Sequence, residues 1–341
     1  MTTPESALVT PAVLPPGFED PAIPRIAVEP VESCPLCSSR GWNPFADGYD
    51  YELRTCRNRW HFVACAQCDH VRLHPRPRSD TLGVIYPPTY YAYNYDTQVS
   101  PLALKAKAWL DRRKFAGILR HLPHPPASYL DVGCGNGRFL DLMEGQGVDP
   151  GRIYGIELDQ PTVDRLRARG YQAWCERVEE CRELPSAGID LATMFHVIEH
   201  VDQPLAVATR LAECLTAGGI LALETPNLDS WDARIFKDHF WGGYHIPRHW
   251  HLFTPRTITR LLNKAGLDVL AIEYQTGHSF WLYSFHHRLR YGTPPHPRLA
   301  AHFNPMGGSL LALAAVTAFD KARAALGAQT SAMLVIARKP E

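Results

Sequence analysis

Two sets of residues in this chain have the types and spacing that chemistry needs. The first is Gly133, Gly135 and Gly137, set directly after the apolar run Tyr129 to Val132, which carries an acid at Asp131. Glycines at a strand end remove Cβ atoms, so a ligand can lie against bare backbone. The helix start that follows offers unpaired N–H groups. Twenty residues past Gly137, at the end of the next apolar run, stands Glu157, where a carboxylate can accept both hydroxyls of a ribose. The glycine spacing is G-x-G-x-G. The dinucleotide fingerprint needs its third glycine one place later, where Arg138 stands, so the pattern argues against a nicotinamide-dependent oxidoreductase.

The second set is Cys34-Pro-Leu-Cys37 and Cys65-Ala-Gln-Cys68, two C-x-x-C knuckles with 27 residues between them. Each knuckle can offer two thiolates from one tight turn, and two knuckles complete a tetrahedral, closed, structural zinc site with no open position for substrate. Cys56 is a spare thiol able to replace a ligand.

Histidines supply candidates for proton transfer, since their charge changes near neutrality. There are sixteen, and two clusters fall where a cleft belongs. His196, Glu199 and His200 follow one expected strand; His245, His249 and His251 lie in the insert after the next, beside Trp241, Tyr244 and Trp250, which suit a sugar or aromatic ring. His249 and His251 are the leading candidates for a general base, with His200 and Tyr244 behind them. The plainer readings are that His200 braces a loop and His251 packs ahead of a helix cap. A divalent metal held by His196, Glu199, His200 and one insert histidine is a further alternative.

These residues need elements to position them. At 341 residues, with 45% hydrophobic, the chain has length for about two domains and material for a real core. Residues 1–30, rich in Pro, Ala and Glu, read as a disordered leader. Residues 31–78 read as the zinc-ribbon module. Residues 79–125 hold a tyrosine-rich connector, Thr81 to Tyr95, suited to lining a cleft, and a packing helix from Leu102 to Leu122. From Ser128 the text alternates strand and helix. Strands are expected at Tyr129–Val132, Ile153–Ile156, Tyr171–Cys175, Leu191–Phe195, Ile220–Glu224, Leu267–Ile272 and Ala332–Ala337. Such alternation implies a parallel α/β sheet with helices on both faces. Residues 126–273 form the core, with a substrate insert at 226–255; residues 274–341 supply a helical cover and the last strand.

Here a family resemblance enters. Leu130-Asp131-Val132-Gly133-Cys134-Gly135-Asn136-Gly137 closely resembles the first motif of class I S-adenosylmethionine-dependent methyltransferases. Ile156-Glu157-Leu158-Asp159 is similar to their ribose-binding strand end. Asp190-Leu-Ala-Thr-Met-Phe-His-Val-Ile-Glu-His200 and Gly219-Ile-Leu-Ala-Leu-Glu-Thr-Pro-Asn227 resemble their fourth and fifth strand motifs. The resemblance implies a doubly wound, seven-stranded Rossmann-like sheet with a small N-terminal zinc ribbon. It places Asp131, Gly133 and Gly135 beside the methionine part of the cofactor and Glu157 at the ribose, with Asn136, Gly137 and Leu158 also among the cofactor-binding residues. Val178, within Glu176 to Glu179, would lie along the adenine, with Phe195 and His196 beside the cofactor. The ribbon, connector and core together resemble a bacterial group acting on sugars and secondary metabolites. Its sugar C-methylating branch has His-Glu-His where this chain has His249-Trp250-His251, which sets C-methylation in doubt. Some related RNA and quinone O-methyltransferases carry Glu-x-x-Glu-His where this chain has His196-Val-Ile-Glu199-His200. A scaffold that keeps cofactor but has lost activity is a third reading, against which the intact loop and Glu157 speak.

Composition limits the partners. Formal net charge is zero, so neither nucleic acid nor anionic lipid is advertised for the chain as a whole. No window reaches the roughly 20 apolar residues of a spanning helix. Nine cysteines without a signal-peptide pattern argue for a reducing, cytoplasmic setting. The C-terminal helices, Trp281 to Tyr291 and Ser309 to Leu326, read as a cover for the sheet or a dimer face, with weak peripheral membrane association as the sharper alternative. The expected reaction is methyl transfer from S-adenosylmethionine to a small hydroxylated acceptor with a histidine as base.

Overall fold

The computed structural model describes residues 14–87 and 101–341, with residues 101–106 seen as backbone. The chain opens with strands β1 (Val28–Glu29), β2 (Trp42–Gly48), β3 (Trp60–Cys65), β4 (Val71–Leu73) and β5 (Arg76–Pro77). Helices α1 (Leu82–Ile85) and α2 (Pro101–Leu119) lead into β6 (Tyr129–Val132), α3 (Arg138–Glu144), β7 (Ile153–Glu157), α4 (Gln160–Ala168) and β8 (Gln172–Cys175). Then follow β9 (Ile189–Phe195), α5 (Pro204–Cys214), β10 (Leu215–Pro226), α6 (Trp231–Ile235), β11 (His251–Leu252), α7 (Pro255–Lys264) and β12 (Asp268–Gln275). Three helices, α8 (His278–Tyr291), α9 (Pro297–His302) and α10 (Leu310–Ala325), precede the last strand, β13 (Ala332–Arg338).

The main sheet has seven strands in the order β12-β13-β10-β9-β6-β7-β8. Strands β10, β9, β6, β7 and β8 are mutually parallel; β13 slots between β10 and β12 antiparallel to both, so the sheet is not parallel throughout as the alternation implied. Period-2 alternation fills both faces. In β13, Met333, Val335 and Ala337 enter one core cluster while Leu334 and Ile336 enter the other, and β10 splits the same way at Leu221 and Leu223 against Ile220 and Ala222. Local signals place the helix starts. Asp159 caps α4 through its bond from Thr162 N (2.9 Å), and Thr254 and Thr257 form a reciprocal capping box on α7.

From β6 the chain runs outward to β7 and β8, then returns to lay β9 and β10 on the other side. Strand order therefore reverses between β6 and β9, the switch point beyond whose strand ends an open α/β sheet places its binding crevice. The glycine loop and the His196–His200 segment border that crevice.

The small module is woven into the core rather than appended to it. Strands β2, β3 and β4 form a second sheet whose fourth strand is β11, from the insert, with His251 opposite Arg72. The expectation of a disordered leader to residue 30 fails over its second half. Phe18 is fully buried in an aromatic nest with Tyr49, Tyr51 and Tyr291, and β1 pairs with β5; one buried ring and a strand pairing suffice to order a segment that composition alone describes as featureless. Residues 1–13 of that leader, and the connector from residue 88 onward, lie outside the described residues. The C-terminal helices also differ from a sheet cover. Helix α8 packs on the insert through Trp281 with Phe236 and on the small module through Tyr291 with Tyr51, because the aromatic partners for its rings are there.

Candidate active site

The glycine loop is built as its spacing implies. Gly133 has φ +75°, and a Cβ there would stand 2.5 Å from the Val197 side chain, so no other residue fits. Gly135 has φ +49° and nothing within 4 Å of the place a Cβ would take, leaving its backbone open toward the crevice. Glu157, at the end of β7, accepts from Gly135 N (2.9 Å) and from its neighbour Leu158 N (2.7 Å), so loop and acid form one unit. Asn136 is exposed, its carbonyl accepting from Arg169, and Leu158 is open to solvent. The Val178 side chain is instead buried in the core, so only its backbone is free to meet an adenine.

Asp131 lies beneath the loop, buried, accepting from Thr193 Oγ1 (2.6 Å), while its Oδ2 has no partner among the described residues. Burial pushes its carboxyl up to about 7. Phe195 packs edge-on against Phe139, with the Lys114 ammonium 4.9 Å from its ring.

His196 turns the chain after β9 in a left-handed conformation, φ +55°. Its Nδ1 lies 3.3 Å from Glu199 and its Nε2 3.4 Å from Glu224. Desolvation of the ring is outweighed by these two carboxylates, which push it up to about 10. Glu224, at the end of β10, is also paired with Lys114; burial would raise its carboxyl, but His196 and Lys114 bring it down to about 2. The side chains of Lys114, Glu224, His196 and Glu199 thus alternate in charge, and Thr225 Oγ1 donates to the other Glu199 oxygen (3.0 Å).

Glu199 begins the second half of the site. Its carbonyl accepts from Trp250 N (2.7 Å) and His251 N (3.0 Å), which pins the insert to the end of β9. Glu199, His200 and His249 each offer a ligand atom, all within 4.8 Å of one another. His249 Nδ1 lies 2.8 Å from the Gly243 carbonyl and His200 Nδ1 2.9 Å from the Arg248 carbonyl. A carbonyl can only accept, so both rings carry their proton on Nδ1 and keep a lone pair on Nε2. His249 Nε2 lies 3.9 Å from Glu199 Oε1. Burial lowers both imidazoles, His200 to about 4 and His249 well below its usual range, so both are neutral at pH 7. Tyr86, the first tyrosine of the connector, reaches His200 Nδ1 at 3.1 Å.

A buried scaffold holds this half. Arg248 and Asp50, both fully buried, pair at 3.1 and 3.2 Å, and Asp50 also accepts from Thr55 Oγ1 (2.6 Å) and Thr55 N (2.8 Å). Glu52, also from the small module, meets His245 Nδ1 at 2.5 Å, and the His245 ring stands 5.0 Å from that of His249.

Two expected base candidates are turned away. His251 sits in β11 with its Nδ1 3.0 Å from His70 Nε2, stacked on that ring inside the small sheet. The Tyr244 hydroxyl donates to the Lys237 carbonyl and its ring stacks on Phe62. Strand register fixes the first and core packing the second. Sequence reasoning missed Glu224, Lys114, Asp50, Glu52 and Arg248. Glu224 had a signal, an acid closing an all-apolar strand; the others are charges remote in sequence.

The four cysteines converge. Cys34 Sγ lies 3.5 Å from Cys68 Sγ, Cys37 Sγ 3.5 Å from Cys65 Sγ, and all four fall within 4.8 Å of one another. Zinc–sulfur bonds of ~2.3 Å ask for sulfur separations of ~3.8 Å. The two knuckles share one turn. Ser38 N donates to Cys34 O (2.8 Å) and Asp69 N to Cys65 O (3.0 Å), and Ser38 and Asp69 are both left-handed, φ +61° and +60°. Buried Arg72, whose Nε and Nη1 have no hydrogen-bond partner among the described residues, feels the charge of all four thiols. The donor set fits a zinc ion.

Residues 106–272 match the family described as "Methyltransferase domain". Similar curated proteins include a "Ubiquinone biosynthesis O-methyltransferase" of Idiomarina loihiensis, 30% identical over 154 residues that cover 42% of this chain and 62% of that one. Another is a "Probable S-adenosylmethionine-dependent methyltransferase" of Mycolicibacterium smegmatis, 29% identical over 161 residues, 46% of this chain and 59% of that one. The matched part thus spans less than two thirds of either relative. Among solved structures, a SAM-dependent methyltransferase from Archaeoglobus fulgidus superposes with a TM-score of 0.45 at 18% identity, covering 73% of this chain and 99% of that one.

Proposed function

We propose that this chain, which matches a methyltransferase-domain family over residues 106–272, is a class I S-adenosylmethionine-dependent enzyme that methylates a small hydroxylated acceptor such as a sugar, a nucleotide-sugar or a natural-product intermediate. The observation that carries this reading is the unit of bare Gly135 backbone and Glu157 at the switch point of the sheet, with Glu199 and two neutral histidines gathered after the neighbouring strand β9 and in the insert.

S-adenosylmethionine, when bound, supplies an electrophilic methyl on its sulfonium. The chain's own residues do the rest. Glu157 takes the ribose hydroxyls, the loop from Gly133 to Gly137 lets the cofactor lie against backbone, and Asp131 Oδ2 meets the ammonium. His249 Nε2 accepts the acceptor's hydroxyl proton, Glu199 stabilises the imidazolium that forms, and the Gly243 carbonyl keeps the ring's other nitrogen protonated throughout. The Glu52–His245 pair orients His249 from behind. Cys34, Cys37, Cys65 and Cys68 hold a zinc ion that closes the small module and takes no part in the reaction. The nine thiols suit a reducing, cytoplasmic compartment.

Isotope-labelled S-adenosylmethionine with a panel of sugars, nucleotide-sugars and phenols tests the reading. Label transferred by wild type and lost in His249→Ala supports it; cofactor bound without turnover on any acceptor favours the inactive scaffold.

A second reading has one observation in its favour. Glu199, His200 and His249 present a carboxylate and two carbonyl-locked imidazoles within 4.8 Å, a donor set suited to a divalent cation. These residues would hold the ion, which would lower the acceptor hydroxyl's pKa in place of a general base. His196, engaged by Glu224, is not among those donors. Turnover abolished by chelator and restored by magnesium or zinc, with the ribbon's zinc retained, selects this reading over the base.

A further inference from the structure

Helix α10 is inside-out. Two of its three charged residues, Asp320 and Arg323, face the protein, 0% and 6% exposed, where Asp320 accepts from Gly277 N (2.6 Å) and from Arg323 Nη1 (3.0 Å). Val316 and Phe319 reach inward to the aromatic cluster around Trp281, but most of its other apolar residues face outward. Leu310, Leu311 and, just past its end, Leu326 are 80%, 82% and 87% exposed, and Phe319 is half-exposed. Between them the outward stripe Leu311, Ala315, Ala318, Ala322 and Ala325 carries no charge. Met306 and Leu299, ahead of the helix, are open as well. A helix apolar on its outer face has a partner other than water.

Charge says which partner. The chain as a whole is neutral, yet from Thr276 to Ser331 there are five Lys and Arg against a single Asp, and that Asp is the buried one. The exposed charges of the cover, Arg288, Arg298 and Lys321, are therefore all positive. A second copy of the chain would bring cations toward cations across the same patch. An anionic bilayer surface offers the opposite sign together with an apolar interior for the leucines.

We propose that α10 and the segment before it are a peripheral docking face for anionic phospholipid, with the helix lying in the plane of the surface and Leu310, Leu311 and Leu326 inserted at its two ends. At 16 residues the helix is far too short to span, and no described helix is long and apolar enough to cross a membrane. Docking is shallow and reversible.

Co-sedimentation of the full chain with vesicles tests this. Wild type is expected to pellet with mixed phosphatidylglycerol/phosphatidylcholine vesicles and to stay in solution with phosphatidylcholine alone, with binding that weakens as salt is raised. The triple variant Leu310→Ser/Leu311→Ser/Leu326→Ser changes only exposed positions and should keep the wild-type circular dichroism and melting temperature while partitioning at least about tenfold more weakly. Arg298→Ala and Lys321→Ala should each cost about fivefold, from about 1 kcal/mol per cation near an anionic surface. Failure to pellet with anionic vesicles overturns the proposal. So does pelleting that the serine triple leaves unchanged, and so does a dimer that the triple dissociates in protein with no affinity for vesicles.

Discussion

The two halves of the crevice are made in different ways. The proposed donor half comes from one continuous stretch, Asp131 to Glu157, in which a strand end, three glycines and the next strand end hold one another by backbone bonds such as Gly133 N to Ile156 O (2.8 Å) and by Gly135 N to Glu157. The proposed acceptor half is assembled from the small module at Asp50 and Glu52, the connector at Tyr86, the end of β9 at Glu199 and His200, and the insert at His245 to His249. Its parts are joined by buried charges whose desolvation must be offset by a partner each. A site of this kind is specific about what it accepts, and it is also the half that a single substitution can dismantle.

The sharpest way to break this contrast is at the ribbon. One zinc ion per chain is expected by plasma emission, lost in Cys65→Ser. Structural zinc contributes on the order of 10 kcal/mol, so its loss should abolish acceptor turnover while a weakened S-adenosylmethionine affinity survives; loss of both together would mean the halves are one unit. Next in size is the buried pair. Arg248→Met alone strands Asp50 and should cost about 3–5 kcal/mol by urea unfolding, and Asp50→Leu added to it should recover much of that. His249→Ala comes third, with kcat down about 10²- to 10⁴-fold and a stability loss of about 1–3 kcal/mol from the missing buried ring and its bond to the Gly243 carbonyl.

The smallest effect is a pH signature of opposite sign in the two halves. His200 is held neutral down to about 4 in the folded chain, against about 6.5 unfolded, so the unfolded state takes the proton first and stability falls as pH drops from 6.5 toward 4. Asp131 is raised to about 7, so across the same range the folded state holds the extra proton and gains. His200→Gln should therefore flatten the decline of melting temperature with acid, and Asp131→Asn should steepen it, each by a few degrees. Equal slopes in wild type and both variants would remove the distinction.

The same contrast explains what could be read from sequence. The strands of the main sheet fell within a few residues of expectation because each is an apolar run bounded by glycine or an acid, as at Tyr129–Val132 and Ile189–Phe195. One exception is β10, which starts at Leu215 through a register shift before Ile220. The glycine loop was legible because its cause lies in its own backbone. The places of His251 and Tyr244 were not legible because their surroundings are set by residues remote in the chain, His70 at 181 positions' distance and Phe62 in the small sheet. Asp50 and Arg248, 198 positions apart, left no local mark at all. Histidines near a cleft can be counted in a sequence, but whether each faces the cleft or the core depends on a register that only folding sets.

The central claim is that the Gly135–Glu157 unit binds S-adenosylmethionine. Isothermal titration of S-adenosylmethionine into the folded, zinc-loaded chain tests it most directly. The account predicts one site per chain, an affinity about ten- to a hundredfold weaker in Glu157→Ala through loss of charged hydrogen bonds, and an affinity in His249→Ala within about twofold of wild type because that residue serves the acceptor half. No binding by well-folded protein, or equal binding by Glu157→Ala, would contradict it.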